Sequence, residues 1–291
     1  MRSLERSCTQ QRANWVRVGS GRPGVERIEA FFAGHAYDTH RHDTYALGYT
    51  LSGVQTFDYR GSRAVSTPGK VMIIAPDEPH NGCAGTDEGF LYRMIYLEPR
   101  FILDALGTAR QSLPLTHSAI HAAPELYAAL VGALGELDAP LEDLRMDQIV
   151  LMLTDSLVLL DPGLSPRSRR SVCKVAVARA RELLDAHSSD IVTSEALENA
   201  TGLDRYSLAR HFRALCGISP YRYLVARRLE RARIMIASGH DLIDVAAQCG
   251  FSDQSHMTRQ FKSAYGVTPG QWRALAIKTP GARAGAPVLL A

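Results

Sequence analysis

Apolar and polar positions change period along this chain, and the change divides it. From about Ile28 to Leu97 the apolar positions fall in short strand-like runs: Tyr45 to Leu51, Val54 to Tyr59, Lys70 to Ala75 and Phe90 to Leu97. Ser52-Gly53, Arg60-Gly61, Pro68-Gly69 and Pro76-Asp77 punctuate them with turn chemistry. Short runs at this spacing with no helix between them predict an antiparallel sandwich or barrel. From Phe101 to Leu160 the period becomes helical. Leu126, Leu130, Ala133 and Leu137 share one face, and Leu141, Leu144, Ile149, Leu153, Leu157 and Leu160 stripe a longer helix. Such a stripe serves either as core or as a contact between subunits. Asp161 to Arg170 carries two prolines, a glycine and three arginines with little to bury, as a linker does. The chain beyond is helical to about Ala276, and the tail from Lys278, rich in Gly, Ala and Pro, reads as disordered.

The helical third contains an internal repeat. Asp204 to Pro220 aligns with Asp253 to Pro269 at a constant offset, with Asp, Arg, Phe, Gly and Pro coincident. Each copy reads as a turn followed by a helix. Gly202 and Gly250 supply the turn, because glycine tolerates a positive φ. Asp204 and Asp253 are placed to cap the next helix. Leu208 with Phe212, and Met257 with Phe261, make the buried i, i+4 stripe. Gly217 and Gly266 stop the helix, and Ser219-Pro220 and Thr268-Pro269 open the following one.

A short helix precedes each turn, Ser194 to Ala200 and Asp241 to Gln248. Helix, turn, helix is the plan in which the second helix enters the major groove of DNA. The outward residues suit that role: Arg205, Tyr206 and Arg210 in the first copy, and Gln254, Ser255, Thr258 and Arg259 in the second. Arginine pairs with guanine edges and glutamine with adenine, while tyrosine and threonine touch thymine methyls. Arg213 and Lys262, equivalent in the repeat, complete the DNA-contacting set, with Lys262 assigned to phosphate. The intervening helix, about Pro220 to Ser238, spans on the order of 30 Å. That is close to the pitch of duplex DNA, about 34 Å, so both helices can address successive grooves.

Charge sharpens this picture. The net charge is +3. Up to Ser165 the chain carries 14 Lys and Arg against 20 Asp and Glu, and beyond it 19 against 10. A basic C-terminal part on an acidic N-terminal part fits a polyanionic partner for the former. The N-terminus has no signal-peptide pattern, and the most apolar stretch, Ile149 to Leu160, is interrupted by Thr154, Asp155 and Ser156. Five scattered cysteines without a C-x-x-C pair are those of a reduced, cytoplasmic protein.

The stretch from about Cys173 to Arg273 resembles the double helix-turn-helix domain of the AraC/XylS family of bacterial regulators. Arg228-Leu-Glu-Arg-Ala-Arg, Asp244-Val-Ala-Ala-Gln-Cys-Gly-Phe-Ser-Asp-Gln-Ser and Gly266-Val-Thr-Pro-Gly-Gln-Trp272 carry the likeness. It implies base contacts by Arg210 and Arg259 and their neighbours one turn back, a homodimer, and RNA polymerase as a protein partner. One position departs. Four residues before the turn glycine the family has a small residue; the second copy has Ala246, but the first has Glu198. A carboxylate cannot be buried there unpaired, so the first unit is expected to pack more loosely. Glu198→Ala is then expected to leave stability unchanged or to raise it.

In the N-terminal part, His40-Arg-His42 to Gly53 and Pro68-Gly69 to His80-Asn81 resemble the two motifs of a cupin barrel. In metal-binding cupins the two motifs supply three histidines and a glutamate. Here the glutamate position is Ala46. Strand alternation sets His40, His42, Ala46 and Gly48 on one face, and the two small residues would leave room inside. We expect a pocket for a small organic effector, with His40, His42, His80 and Arg93 as its polar contacts and no metal or other cofactor. Two rivals remain: a cupin metalloenzyme fused to a DNA-binding domain, and a regulator whose barrel only dimerises or binds proteins.

The sequence therefore predicts a multidomain protein with an all-β cupin-like barrel and an all-α C-terminal domain. Residues 1–100 form the effector-binding barrel, 101–160 a helical dimerisation segment, and 161–172 a linker. Residues 173–276 form the double helix-turn-helix domain and 277–291 a disordered tail. The expected function is that of a cytoplasmic, non-enzymatic transcription activator that binds double-stranded DNA under effector control and has no membrane partner.

Overall fold

Alternation in the first third does produce strands. The computed structural model describes residues 14–107, 112–164 and 172–275; the predicted tail and the linker residues 165–171 lie outside these. Strands β1 (Trp15–Val18), β2 (Val25–Phe32), β4 (Tyr45–Gly53), β7 (Val71–Ile74), β9 (Phe90–Leu97) and β10 (Ile120–His121) form a six-stranded sheet, in the order β1-β2-β9-β4-β7-β10. Strands β3 (His35–His40), β5 (Gln55–Tyr59), β6 (Ser62–Ser66) and β8 (His80–Ala84) form a second sheet, ordered β3-β8-β5-β6. All the strand pairings are antiparallel. Strand β10 falls inside the segment expected to be purely helical. It pairs Ile120 with Met72 and His121 with Val71.

The central strands β2, β9, β4 and β7 of the six-stranded sheet are covered on both faces, and alternation assigns most of their apolar side chains to one of two clusters, whereas the edge strand β1 is exposed. Ile28, Ala30, Ala46, Met72, Ile74, Phe90, Tyr92 and Met94 form one cluster with Phe57 and Tyr59 of the second sheet. Tyr45, Leu47, Tyr49, Val71, Ile73, Ile95 and Leu97 form the other with the helices that follow. Those helices are α1 (Pro99–Leu106), α2 (Pro124–Leu134) and α3 (Asp143–Leu160). The leucine stripe of α3 is spent here, since Leu144, Ile149, Leu153 and Leu157 are all buried within the chain. Arg27 joins the helices to the sheet. Fully buried, it donates to the carbonyls of Ser20, Ala133, Glu136, Leu137 and Ala139, and so satisfies the end of α2 and the turn after it.

The remaining helices are α4 (Lys174–Ala186), α5 (Ser194–Thr201), α6 (Arg205–Cys216), α7 (Pro220–Ala237), α8 (Leu242–Gln248), α9 (Gln254–Tyr265) and α10 (Pro269–Leu275). The chain packs as two units. One holds the described residues up to Val177 together with Thr193–Ser219, and the other holds Ala178–Val192 and the described residues from Pro220. Helices α5 and α6 therefore pack in the unit that contains the strands, although in the sequence they follow the linker.

Candidate functional site

Between the sheets lies a cavity of about 400 Å³, a size that suits a small molecule. Its wall carries Tyr37, His40, His80, Tyr92 and Tyr96, with Ile28, Ala46, Ile74 and Met94 as apolar lining. Among the described residues no lysine or arginine lines it, and the one acidic residue, Asp38, is solvent-exposed and paired with His35. The tyrosines remain neutral phenols, because burial raises Tyr37 and Tyr92 far above the ordinary range and Tyr96 to about 12.

The histidines share one hydrogen-bonding arrangement. His40 Nδ1 lies 2.9 Å from the Asp38 carbonyl, His42 Nδ1 2.8 Å from that of Thr44, and His80 Nδ1 2.9 Å from that of Glu78. A carbonyl only accepts, so each Nδ1 carries the proton and each Nε2 of a neutral ring presents a lone pair. Burial lowers His80 to about 4 and also lowers His42, which keeps both neutral at physiological pH. Ring centroids lie 4.4 Å apart for His40 and His80, 5.0 Å for His42 and His80, and 6.2 Å for His40 and His42. His42 stands beside the lining rather than in it, and its Nε2 is buried without a hydrogen-bond partner.

These residues do not fit the cupin metal set. Its carboxylate position is Ala46, and among the described residues no group of three His, Cys, Asp or Glu side chains is arranged to hold a metal ion.

Two helix-turn-helix units follow. In the first, the Thr193 side chain caps α5 and the Asp204 side chain caps α6, accepting from Ser207 N at 2.9 Å. Gly202 and Gly217 end these helices at φ of 71° and 75°. In the second, Asp241 caps α8, Asp253 caps α9 by accepting from His256 N at 2.7 Å, and Gly266 ends α9 at φ 75°. Gly250 is doubly constrained. Its φ is 77°, and a Cβ there would lie 2.7 Å from the Ser189 carbonyl and 3.0 Å from Arg228 Nε. Helix α9 buries His256, Met257 and Phe261 while Gln254, Ser255, Arg259 and Lys262 are exposed and Thr258 is half-buried.

The "AraC-like ligand binding domain" family matches residues 22–154 and the "Helix-turn-helix domain" family matches residues 197–275. YbfI of Bacillus subtilis, described as an uncharacterized HTH-type transcriptional regulator, is 30% identical over 236 residues, which cover 79% of this chain and 86% of that one. The chain belongs to the AraC family of transcription regulators. The HTH-type transcriptional activator RhaS of Escherichia coli is 26% identical over 247 residues, covering 80% of this chain and 86% of its own. Among solved structures, a lysine-to-alanine variant of apo ToxT from Vibrio cholerae is 12% identical, with a TM-score of 0.38 over 88% of this chain and 99% of that one.

As an AraC-family regulator the protein has an N-terminal ligand-binding domain and a C-terminal helix-turn-helix domain for DNA. Several expected details need correction. Arg93 does not reach the cavity. It lies between Tyr92 and Met94, which line it, so alternation turns Arg93 away, where it pairs with Glu29 at 2.6 Å and donates to the Leu134 carbonyl. Gly48 leaves no void, since a Cβ there would lie 2.3 Å from the Arg93 carbonyl and 2.6 Å from Met94 Sδ. Tyr206 does not face outward but is 6% exposed, and Arg205 and Arg210 are half-buried in contacts with acidic side chains. Only Arg213 of the first set is exposed. Glu198 is not a packing defect: its carboxylate accepts from the backbone N and the guanidinium of Arg205, three bonds of 2.9 Å each. Tyr37, Tyr92 and Tyr96 line the cavity without having been expected there; for Tyr92 and Tyr96 the alternation Tyr92-Arg-Met94-Ile-Tyr96 on β9 carries the signal.

Proposed function

We propose that this regulator answers to an uncharged small molecule that bears hydroxyl or other hydrogen-bond donors and occupies the barrel cavity. The observation that carries the reading is the fixed tautomer of the histidines. His40 and His80 line the cavity with Nδ1 committed to backbone carbonyls, so Nε2 is left to accept a donor. Aromatic rings and aliphatic groups suit an apolar ligand face, and a described wall without lysine or arginine gives a carboxylate or phosphate no counter-charge. The absent cupin carboxylate weighs against a metalloenzyme. Likeness to RhaS, which is named an activator, supports activation as the output, and we propose RNA polymerase as the protein partner. We further propose a cytoplasmic homodimer acting at paired DNA sites. No helix among the described residues is long and apolar enough to cross a membrane.

The test is a thermal-shift screen of the full-length protein against matched sets: neutral hydroxylated compounds and their carboxylated or phosphorylated counterparts. A ligand at a hundred times its Kd stabilises the folded state by about 2.7 kcal/mol. The expected result is that neutral members raise the Tm and that His80→Ala abolishes the shift. Stabilisation by the anionic members alone would overturn this reading.

A further inference from the structure

The two recognition helices offer a comparison within one chain. The repeat makes Arg205, Tyr206 and Arg210 of α6 equivalent to Gln254, Ser255 and Arg259 of α9. The second set is exposed, whereas the first is covered by the helices that follow the barrel. Tyr206 is 6% exposed and, with Ala209, belongs to the apolar cluster that contains Ile102 and Ala105 of α1 and Ile149 and Leu151 of α3. Arg210 donates to the Ala105 carbonyl at 2.8 Å, which is within α1, and pairs with Asp155 of α3 at 3.2 Å. Arg205, held by Glu198, also lies 3.8 Å from Asp147 of α3. Asp147 accepts from Ser194 at the start of α5, and Gln148 accepts from Ser219 after α6.

We infer that α1 and α3 hold the first recognition helix out of the DNA groove, so that the first helix-turn-helix unit reads DNA only after this contact opens. A recognition helix presents the residues of its first turns to base edges. On α6 those turns carry Tyr206 and Arg210, and a duplex cannot occupy the face that α1 and α3 already fill. Arg210 is held by groups that imitate what DNA offers a guanidinium, an anion and a carbonyl oxygen, so release exchanges one set of acceptors for another. Tyr206 has no such replacement in water, and its burial sets the apolar part of the closure. Gln254 and Ser255 of the second unit are exposed among the described residues, so that unit would make the first contact with DNA.

The test uses full-length protein without effector and a duplex selected from a random pool by Asp155→Arg. Asp155 lies on α3, is 47% exposed, and is not part of the DNA-contacting set. Asp155→Arg sets a like charge against Arg210, while Asp155→Ala removes the ion pair without repulsion. Hydroxyl-radical footprinting should show the wild type protecting one major groove per half-site and Asp155→Arg protecting two per half-site, about 10 base pairs apart. Binding should tighten on the order of tenfold for Asp155→Arg, less for Asp155→Ala, and the gain should vanish when Arg210→Ala is added. Hydrogen exchange should quicken in α6 and remain unchanged in β4 and β9, which separates release from unfolding. Two-groove protection of each half-site by the wild type, with unchanged affinity in both variants, would overturn the inference. So would weaker binding by Asp155→Arg with an intact barrel, because the contact would then belong to the DNA-binding state.

Discussion

Glu198→Ala offers a direct test of how the first helix-turn-helix unit is held together. From sequence alone the substitution is expected to be neutral or stabilising, and the geometry reverses that expectation. The carboxylate accepts from Arg205 N, at the first residue of α6, and from Arg205 Nε and a terminal guanidinium nitrogen, each at 2.9 Å. Arg205 keeps this carboxyl below its usual range, principally through the side-chain hydrogen bond. Removing it leaves a helix N-terminal N–H without its acceptor, a loss of about 0.5–1.5 kcal/mol. The ion pair adds little, because its side chains are 27% and 39% exposed and such pairs contribute about 0–1 kcal/mol. Alanine recovers a few tenths of a kcal/mol, on the order of 0.3, through helix propensity. The balance is a destabilisation of about 1 kcal/mol, confined to α5 and α6. Because the chain packs as two units, global denaturation can blur so local an effect. Amide hydrogen exchange reads it directly: protection in α6 should fall about fivefold, while α9 is unaffected. Unchanged or increased protection in α6 would show that the Glu198–Arg205 contact contributes nothing and would refute the reasoning.

Other outcomes follow from the same geometry. Arg259→Ala should weaken binding to the operator by about 1–3 kcal/mol and relax preference at one or two base pairs, and equal losses on operator and random duplex would refute the base contact. Lys262→Ala should weaken all sequences alike and flatten the salt dependence by about one unit of slope, as titrations of binding against salt will show. Ala246 on α8 is 1% exposed, and the repeat places Gln254 where Arg205 answers Glu198 in the first unit. Ala246→Glu should therefore cost several kcal/mol in urea denaturation, on the order of 3; tolerance of the glutamate would show that the second unit yields more readily than its packing implies. Burial raises Asp147 to about 6, above its ordinary 3.8, so the neutral carboxyl is favoured in the fold. The stability tied to it is complete below about pH 4 and is lost as pH rises through about 6, and Asp147→Asn should flatten that part of the pH–Tm curve.

The sequence makes some of this legible because its signals are local. Asp204, Asp241 and Asp253 cap the helices they precede, since a cap depends only on the next turn of backbone. Gly217 and Gly266 end α6 and α9 for a similarly local reason. Strands β4 and β9 are evident from their apolar runs, but alternation fixes a period and not a phase. The expectation for Arg93 therefore takes the wrong face, while its neighbours Tyr92 and Met94 line the cavity. Strand β10 has two residues, too few for any period to register. Tyr206 departs for another reason. Internal homology equates it with Ser255, yet a repeat encodes two like helices and not the surface each one meets. A tyrosine can serve a groove or an apolar cluster, and the choice is made by α1 and α3, far away in sequence.

The same sheet connects the two features that matter for regulation. On β9, Tyr92 and Met94 face the cavity, while Ile95 and Leu97 pack in the cluster that includes α1, α3 and Tyr206. On β4, Ala46 lines the cavity and Tyr45 and Leu47 belong to the helix-side cluster. One layer of backbone thus separates the ligand wall from the packing that covers α6. Adjacency alone does not produce regulation, because a ligand shifts an equilibrium only by its difference in affinity for the two states. A tenfold preference for one state is worth about 1.4 kcal/mol. That is comparable to the contribution of a contact such as Arg210 with Asp155, about 0–1 kcal/mol, so a modest differential decides whether α6 is held only if the held and released states lie within about that range of each other. A closure stronger than that range would leave the helix covered whatever the cavity contained.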